Sequence, residues 1–252
     1  MIDPLDFGVQ SFCFRHFKDN AEVAKKVRQI GVDSIEVCGV HADFSDPSAF
    51  AKEMGKYSDA GVSVTSIGVQ TFKGDDSERA WFECVKAVGA NHMSCHFTVD
   101  TFMTAIPKVR AWCREYGVRA AIHCHGGYNF NGNPGTLGYL MGLGAPEIGL
   151  CIDTAWALQI GPRAGNPVHW VKDLFPGKTF MVHYKDFTFA SNGQWTDVVV
   201  GEGTLNLPAF VQALRNDDFD GVAVIEYEAD VENPVPALTR CVESMRAVRL
   251  GL

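Results

Sequence analysis

The chain has 252 residues, a length that fits one large domain or two small ones and that an α/β barrel commonly takes as a single domain. Hydrophobic residues make up 46% of the chain and charged residues 21%, which is typical of a folded globular protein and excludes a disordered chain. Thirty acidic residues against 22 basic ones give a net charge of -8, which argues against broad binding to nucleic acid or to an anionic membrane.

The spacing of the cysteines and the first residues of the chain indicate the cellular compartment in which the protein is expected. The eight cysteines lie at long spacings without a Cys-x-x-Cys pair, and several sit inside apolar runs, so we expect reduced thiols in a cytoplasmic protein. The first residues show no basic region followed by a long apolar segment. No uninterrupted apolar run approaches the roughly 18 residues of a membrane-spanning helix, so we expect neither secretion nor a membrane span.

Short apolar runs alternate with longer amphipathic segments along the whole chain, which is the pattern of βα units. The predicted strands are residues 7–14, 34–40, 62–70, 92–97, 118–127, 148–155, 179–187 and 222–227. The predicted helices are residues 20–30, 47–60, 77–88, 100–116, 136–143, 168–175, 208–215 and 234–248. Asn20 and the pair Asp46-Pro47 are predicted to open the first two helices, and Gly31 and Gly61 to end them.

Eight strands, each followed by a helix and with no compositional break, predict one domain over residues 1–252, a single (β/α)8 TIM barrel of the α/β class. An open doubly wound sheet is the alternative, but it usually carries a glycine-rich dinucleotide fingerprint after its first strand. Here residues 13–16 read Cys-Phe-Arg-His, so the barrel is favoured. After strand seven, the dipeptide Asn192-Gly193 predicts a small hairpin, and residues 126–134 predict a Gly- and Asn-rich loop.

Polar residues collect at the ends of the last four predicted strands. They are His123 and His125 on strand five, Asp153 on strand six, His183 and Lys185 on strand seven, and Glu226 and Glu228 on strand eight. Because the C-terminal ends of barrel strands form the active-site face, these side chains are expected to converge. Burying so many ionisable groups together costs a large free energy unless a cation compensates their charges.

The predicted metal ligands are His123, Asp153, His183 and Glu226, which supply two imidazoles and two carboxylates. Such a set suits a divalent transition metal, with Mn2+ as the first expectation and Co2+, Fe2+ or Zn2+ as alternatives, better than it suits Mg2+ or Ca2+. In the competing interpretation the carboxylates are helix caps or ion-pair partners and the histidines are packed core residues. Which of His123 and His125 binds the metal stays open.

Four short motifs carry a family resemblance that covers nearly the whole chain. They are Ile-Asp-Thr at 152–154, His-x-Lys-Asp at 183–186, Gly-Glu-Gly at 201–203 and Ile-Glu at 225–226. In this order and spacing they resemble the xylose isomerase-like TIM-barrel superfamily, which includes sugar isomerases and epimerases, inosose dehydratases, keto-sugar lyases and family 2 abasic-site endonucleases. The resemblance implies metal-ligand roles for Asp153, His183 and Glu226.

Two positions depart from the pattern of that superfamily. Its members usually carry Glu-Asn-His at the end of strand five, where residues 123–125 here read His-Cys-His, and many carry a histidine where Trp156 stands. In its sugar epimerases, glutamates on strands five and eight bind the metal and act as paired acid–base groups. With His123 in place of the first glutamate, a symmetric two-glutamate epimerase is put in doubt.

The remaining groups support proton abstraction next to a carbonyl, in which a metal polarises the carbonyl and one base removes the α-proton. His125 is the predicted base, Glu226 is expected to act both as ligand and in catalysis, and Lys185 is expected to contact a hydroxyl or enolate oxygen. Further candidates for polar substrate contacts are Glu36, His41, His96 and Glu228. Trp156 and Phe14 are candidates for an apolar wall against which a sugar ring stacks.

The resemblance and the strand-end residues together predict a divalent-metal-dependent enzyme that abstracts the α-proton of a sugar or cyclitol carbonyl compound. It would be an isomerase or epimerase, or a lyase or dehydratase that eliminates at the β-carbon of a keto-sugar or keto-glycoside. The alternatives are an abasic-site endonuclease-like phosphodiesterase and a non-catalytic sugar-binding or partner subunit. The expected partner is a small sugar or keto-sugar, with no nucleic acid and no membrane; a homo-oligomer and a complex with another subunit both stay open.

Overall fold

Eight parallel strands close into a barrel in the computed structural model, which describes residues 3–127 and 129–251. In chain order the strands are β1 (Phe7–Gln10), β2 (Ser34–Val37), β3 (Ser63–Phe72), β4 (His92–Phe97), β5 (Arg119–His123), β6 (Ile148–Asp153), β7 (Thr179–Tyr184), β8 (Asp186–Phe189), β9 (Trp195–Val198) and β10 (Val222–Ile225). The barrel contains β1 to β7 and β10, and it closes where β1 pairs with β10. The predicted TIM barrel is confirmed.

Helices connect the barrel strands. They are α1 (Asn20–Gln29), α2 (Pro47–Asp59), α3 (Arg79–Ala87), α4 (Phe102–Tyr116), α5 (Pro134–Gly144), α6 (Thr154–Gln159), α7 (Pro167–His169), α8 (Leu207–Asn216) and α9 (Val235–Gly251). Short 3-10 turns lie at Ser11–Phe14, Asp76–Glu78 and Phe130–Gly132, and a π-helical turn at Trp170–Leu174 follows α7. None of the helices in the described part of the chain is long and apolar enough to cross a membrane.

A small apolar cluster fills the barrel below the strand ends. Ala121, Cys151 and Met181 form it, and each is 0% exposed. Each lies two residues before a predicted metal ligand on the same strand. Because side chains alternate along a strand, the cluster shares the inward face with those ligands and lies one layer deeper. This layer forms an apolar floor under the site.

Several strands end earlier than the hydrophobic pattern predicts, because side chains near their ends bind the backbone that follows. β1 stops at Gln10, whose side-chain oxygen accepts the Phe12 N–H at 3.1 Å and starts a 3-10 turn. β6 stops at Asp153, whose carboxylate accepts the Trp156 N–H at 2.9 Å and caps α6, a helix that the pattern does not predict. Strand five is predicted over residues 118–127, but β5 likewise ends early, at His123. The loop predicted over residues 126–134 includes Tyr128, which lies outside the described residues.

The two predicted helix starts have different outcomes. Asp46 caps α2 as predicted, accepting the N–H groups of Ser48 and Ala49. The prediction that Asn20 caps α1 is wrong, because Asp19 takes that position. The Asn20 side chain is buried instead, where it accepts the Tyr57 hydroxyl at 2.7 Å.

The small hairpin predicted after strand seven is confirmed. β8 and β9 pair antiparallel on either side of the Asn192-Gly193 turn. The predicted strand seven, 179–187, is therefore two strands, β7 and β8, which meet at Lys185. This hairpin adds side chains to the site that the barrel strands alone do not supply.

Candidate active site

The four predicted metal ligands lie together at the C-terminal end of the barrel. One ligand atom from each of His123, Asp153, His183 and Glu226 lies within 4.8 Å of the others, and all four residues are buried. His123 ends β5 and Asp153 ends β6, while the register of β6 and β7 pairs Asp153 with His183. Glu226 directly follows β10. Among the residues that the structure describes, this is the one group of three or more His, Cys, Asp or Glu side chains that lie close enough together to hold a metal ion.

Unpartnered buried atoms in this cluster test whether a cation fits it. They are Nδ1 and Nε2 of His123, Oδ2 of Asp153 and Nε2 of His183. Leaving a buried polar group unpaired costs about 1–3 kcal/mol, and a cation held by one ring nitrogen of His123 and by Oδ2 of Asp153 would relieve that cost at both residues. The donor set of imidazole nitrogens and carboxylate oxygens is one that divalent transition metals prefer. The residues present therefore fit a divalent cation.

The two carboxylate oxygens of Asp153 have different neighbours. Its Oδ1 accepts the Trp156 N–H and caps α6, while its Oδ2 lies 3.5 Å from Nε2 of His123. The helix-cap interpretation and the ligand interpretation are thus compatible, because each uses a different oxygen. Burial raises the pKa of Asp153 to about 7, although Lys185 opposes the rise.

The protonation states of His123 and Glu226 follow from their burial and their neighbours. Burial, together with His183, lowers the pKa of His123 to about 3, so the ring is neutral at physiological pH, which is the form that binds metals. Burial acts to raise the pKa of Glu226, but Lys185 and His183 outweigh it and the pKa lies below its usual range. Glu226 is therefore a carboxylate.

Glu36 lies behind the cluster rather than beside a substrate. It is 0% exposed, and it accepts hydrogen bonds from Gln10 at 2.8 Å and from the hydroxyls of Ser66 and Ser94 at 2.8 and 2.7 Å. Its Oε1 also lies 3.4 Å from Nε2 of His183. Gly68 leaves room for this arrangement, since a Cβ there would lie 1.8 Å from the Ser94 hydroxyl. The predicted substrate contact of Glu36 is not supported, because its carboxylate is enclosed.

Lys185 lies inside a ring of carboxylates. It is 1% exposed, and its ammonium group contacts Glu228, with Asp197 at 3.7 Å and Glu226 at 3.8 Å. Burial acts to lower the pKa of Lys185, but Glu226, Asp153 and the other carboxylates outweigh it and the pKa rises above its usual range. Lys185 stays protonated, so it can stabilise negative charge but cannot act as a base.

Asp186 explains the Gly-Glu-Gly motif. It is 0% exposed, and its two oxygens accept four backbone N–H groups, from Gly201, Gly203, Thr204 and Leu205, at 2.9–3.0 Å. A Cβ at Gly203 would lie 2.4 Å from Oδ1 of Asp186, so the close approach requires glycine. This clamp ties the segment after β9 to the residue that starts β8, and it thereby fixes the hairpin that carries Asp197.

A pocket of about 460 Å3 opens above the cluster. Its polar side is formed by His96, His123, His125, Glu226 and Glu228, with Trp156 beside them. The opposite side follows β1, β2 and β3 and is mostly apolar; it is formed by Gln10, Phe12, Cys38, Gly39, Val40, Gly68 and Val69. Of the predicted contacts, His96, Trp156 and Glu228 therefore reach the pocket.

His125 lies on the pocket wall against Trp156. The two rings stack with centroids 4.2 Å apart and an angle of 21° between their planes. Nδ1 of His125 accepts the backbone N–H of Gly126 at 3.0 Å, so a neutral ring carries its proton on Nε2. The structure also separates the two strand-five histidines, since His123 belongs to the cluster and His125 does not.

Two weaker candidates lie away from the pocket. Phe14 is 0% exposed in the main core, so its predicted place in the apolar wall is wrong. The 3-10 turn after β1 directs Phe12 to the pocket in its place. His41 contacts the carbonyl oxygen of Phe17 through Nε2 at 2.9 Å and does not line the pocket.

Asp197 is the ionisable site residue that the sequence pattern missed. It lies on β9, and its Oδ2 accepts the Glu228 N–H at 3.1 Å while its Oδ1 is buried without a partner. Nothing in its local sequence marks it, because only the hairpin pairing carries it to the strand ends. The sequence pattern also misses the apolar pocket residues within β3 and after β1 and β2, since they carry no chemical signature.

The chain belongs to the xylose isomerase-like TIM barrel family, whose model matches residues 24–249. A search of curated proteins found no match. Among solved structures, the probable 3-DHS dehydratase AsbF of Bacillus anthracis superimposes with a TM-score of 0.72 at 16% identity, over 95% of this chain and 98% of that one.

Two further solved structures share the fold. The IOLI protein, which holds a zinc atom, gives a TM-score of 0.74 at 15% identity, over 95% of this chain and 96% of that one. An L-ribulose 3-epimerase gives a TM-score of 0.70 at 14% identity, over 97% of this chain and 96% of that one. At these identities the similarity shows a shared fold.

Proposed function

We propose that the chain is a divalent-metal-dependent enzyme that removes the proton next to the carbonyl group of a sugar or cyclitol. The observation that carries this proposal is the four-residue cluster at the base of a pocket whose wall holds His125. A divalent ion on His123, Asp153, His183 and Glu226 would supply a Lewis acid that polarises the carbonyl. Among proteins of the same fold, a probable dehydratase and an epimerase support this reaction class, and a protein that holds a zinc atom supports a metal at the site.

Glu226 is the group that we assign to accept the α-proton. It lines the pocket and it is ionised, as a general base must be. Its Oε2 lies 3.2 Å from Nδ1 of His183 and 3.8 Å from the Lys185 ammonium group. The positive charge of Lys185 helps to hold this carboxylate in its ionised form.

His125 is the group that we assign to donate a proton. The hydrogen bond from the Gly126 N–H to Nδ1 leaves the ring proton on Nε2, which makes the neutral ring a donor at that atom. This modifies the expectation that His125 is the base, since the base would need its lone pair on Nε2. Stacking against Trp156 fixes the orientation of the ring.

Two reactions follow from these assignments. Loss of the α-proton to Glu226 moves the C–H electron pair toward the carbonyl oxygen and gives an enolate. In an elimination, the enolate expels a β-oxygen that takes its proton from His125; in an isomerisation or epimerisation, a proton returns to carbon. Elimination needs one base and one acid, which is what the pocket offers, so a lyase or dehydratase is the preferred form of the proposal.

An abasic-site endonuclease is less well supported. It would need ligands for several metals and a positively charged face for DNA. The described residues offer one metal-fitting cluster, and no lysine or arginine among them lines the pocket.

The test is metal analysis joined to α-proton exchange. The purified protein, loaded with Mn2+ or Zn2+, is incubated in deuterated water with a panel of keto-sugars and keto-glycosides, and deuterium incorporation is followed by NMR. We expect exchange that stops on chelation and returns with metal. Exchange that persists in the metal-free protein, or no exchange by the loaded protein on any panel member, contradicts the proposal.

A matched pair of variants controls for nonspecific effects of losing a histidine. His123→Ala should lose both metal and exchange. His169→Ala removes an exposed histidine that pairs with Asp173 outside the site, so metal and exchange should be retained.

A further inference from the structure

The charges around the pocket restrict the kind of molecule that it admits. We propose that the pocket selects uncharged hydroxylated carbonyl compounds and rejects phosphorylated or carboxylated ones, and that Glu228 and Asp197 impose this selection by taking up the charge of Lys185. The inference rests on the proposed function for the placement of a carbonyl compound in this pocket.

Lys185 is the cation nearest the cluster, and its charge is already matched. Its ammonium group contacts Oε1 of Glu228 and lies 3.7 Å from Oδ2 of Asp197, with Glu226 at 3.8 Å on the cluster side. At 1% exposure, the ammonium group has no face open to an incoming anion. An anionic substituent could reach this charge only by displacing a carboxylate.

Arg15 also contacts pocket-lining residues. Its guanidinium group donates to the backbone carbonyl oxygens of Phe12 and Glu228, and it stacks over the Phe12 ring. Two of its donors are therefore engaged with backbone. Phosphate recognition typically uses arginine or lysine groups aimed at the ligand, and no such group lines this pocket among the described residues.

A bound divalent ion does not reverse this balance. The proposed ligand carboxylates of Asp153 and Glu226 together match a charge of two. Glu36, buried behind the cluster, adds a negative charge, and Glu228 matches Lys185. No net positive charge is then left for a phosphate or carboxylate group, even when Asp197 is protonated.

Asp197 is built into this arrangement rather than lying at the surface. Its side chain is 7% exposed, and its Oδ1 is buried without a hydrogen-bond partner. The Asp186 clamp fixes the hairpin that carries it. Burial raises the pKa of Asp197 to about 7, so its negative charge is fully present only above neutral pH. The hairpin thus adds a carboxylate that the barrel strands do not provide.

The test compares neutral ligands with their phosphate esters. Binding to the Mn2+-loaded protein is measured by titration calorimetry at pH 8 for two pairs: fructose with fructose 6-phosphate, and ribulose with ribulose 5-phosphate. Metal content is checked after each titration. We expect each neutral member to bind on the order of tenfold or more tightly than its ester, the scale of one unmatched charge at close range. An ester that binds as well as its neutral partner, or the absence of binding by both neutral sugars, overturns the proposal.

Variants identify the residues responsible. Glu228→Gln and, separately, Asp197→Asn should raise the affinity for the phosphate esters. The ratio of neutral-sugar affinity to ester affinity should therefore fall, with metal content unchanged. Glu243→Gln removes an exposed acid on α9 and should leave the ratio as it is. A ratio that stays constant in both pocket variants overturns the assignment. Because binding is measured without turnover, a neutral preference without α-proton exchange would contradict the proposed reaction and leave this inference standing.

Discussion

Glu36 stands directly behind His183, with its Oε1 3.4 Å from Nε2, while Nδ1 of the same ring lies 3.2 Å from Glu226. One imidazole therefore bridges a buried carboxylate and the cluster. In metal sites, a carboxylate behind a ligating histidine takes the second ring N–H and fixes the tautomer and orientation of the ring. Glu36 is placed to do this for His183, and its partners Gln10, Ser66 and Ser94 hold it there.

The first prediction concerns this pair. Glu36→Gln should weaken metal binding by roughly 10–100-fold, the usual effect of losing such a carboxylate, because the amide is uncharged and orients His183 less well. Affinity is measured by competition with a fluorescent chelator at constant pH. Glu243→Gln on α9 serves as the control and should bind metal like the unmodified chain. Equal affinity in Glu36→Gln would show that His183 is held by packing alone.

The second prediction separates the two histidines of β5 and its continuation. His123→Ala should abolish stable metal binding, whereas His125→Ala should retain the metal, because His125 lies outside the cluster. His125→Ala should instead lose product formation by about 100-fold or more, the usual range for a proton-transferring group.

Two measurements decide this prediction, namely elemental analysis and turnover of any sugar that the exchange screen identifies. Since the assigned donor acts after the α-proton leaves, product formation should fall more than deuterium exchange does. Metal loss in His125→Ala with metal retained in His123→Ala would reverse the assignment.

The barrel and the position of the four-residue cluster can be predicted because both leave a local signal. An apolar run that ends in His, Asp or Glu marks a strand end, and the fold brings such ends together, so the spacing predicts that Asp153, His183 and Glu226 converge with the strand-five histidines. Spacing does not choose between His123 and His125; the structure places His123 in the cluster. Asp197 and Phe12 are not predictable in this way. Their positions depend on a hairpin pairing and on a 3-10 turn, which are tertiary and local backbone features that hydrophobic periodicity does not encode. The residue type of Asn20 favours a helix cap, but burial of its side chain against Tyr57 determines its position.

The third prediction concerns the Asp186 clamp. Asp186→Asn replaces one acceptor oxygen with an amide donor that faces backbone N–H groups, so two of the four hydrogen bonds are lost and their donors are left unpaired. We expect a loss of about 2–4 kcal/mol in the free energy of unfolding, measured by urea denaturation. Hydrogen exchange at residues 201–205 should rise more than exchange in the barrel strands.

A second aspartate provides the control for that experiment. Asp217 accepts the Gly177 N–H through both of its oxygens at an exposed position. Asp217→Asn should therefore cost less, since water can satisfy the freed donor. Equal losses in the two variants would mean that the Asp186 clamp contributes no more than an ordinary surface contact.

The fourth prediction concerns pH and His92, which starts β4 at the end of the barrel opposite the site. It is 4% exposed, its Nε2 is buried without a partner, and burial together with Arg119 lowers its pKa to about 4 from 6.5. Between those values the unfolded chain binds a proton that the folded chain does not. Stability is therefore full above pH 6.5 and is lost as the pH falls toward 4.

The loss of stability expected from His92 is large enough to measure by urea denaturation. Between pH 7.5 and 5, His92 alone should account for about 2 kcal/mol of lost stability, at 1.36 kcal/mol per pH unit below 6.5. His92→Asn keeps a donor for the Asn91 side chain, which contacts Nδ1 at 2.7 Å, but cannot titrate. Urea denaturation of chelator-treated protein should show a shallower pH dependence for this variant than for His169→Asn, the exposed control. Parallel pH profiles for the two variants would show that the His92 ring is protonated in the folded protein without cost.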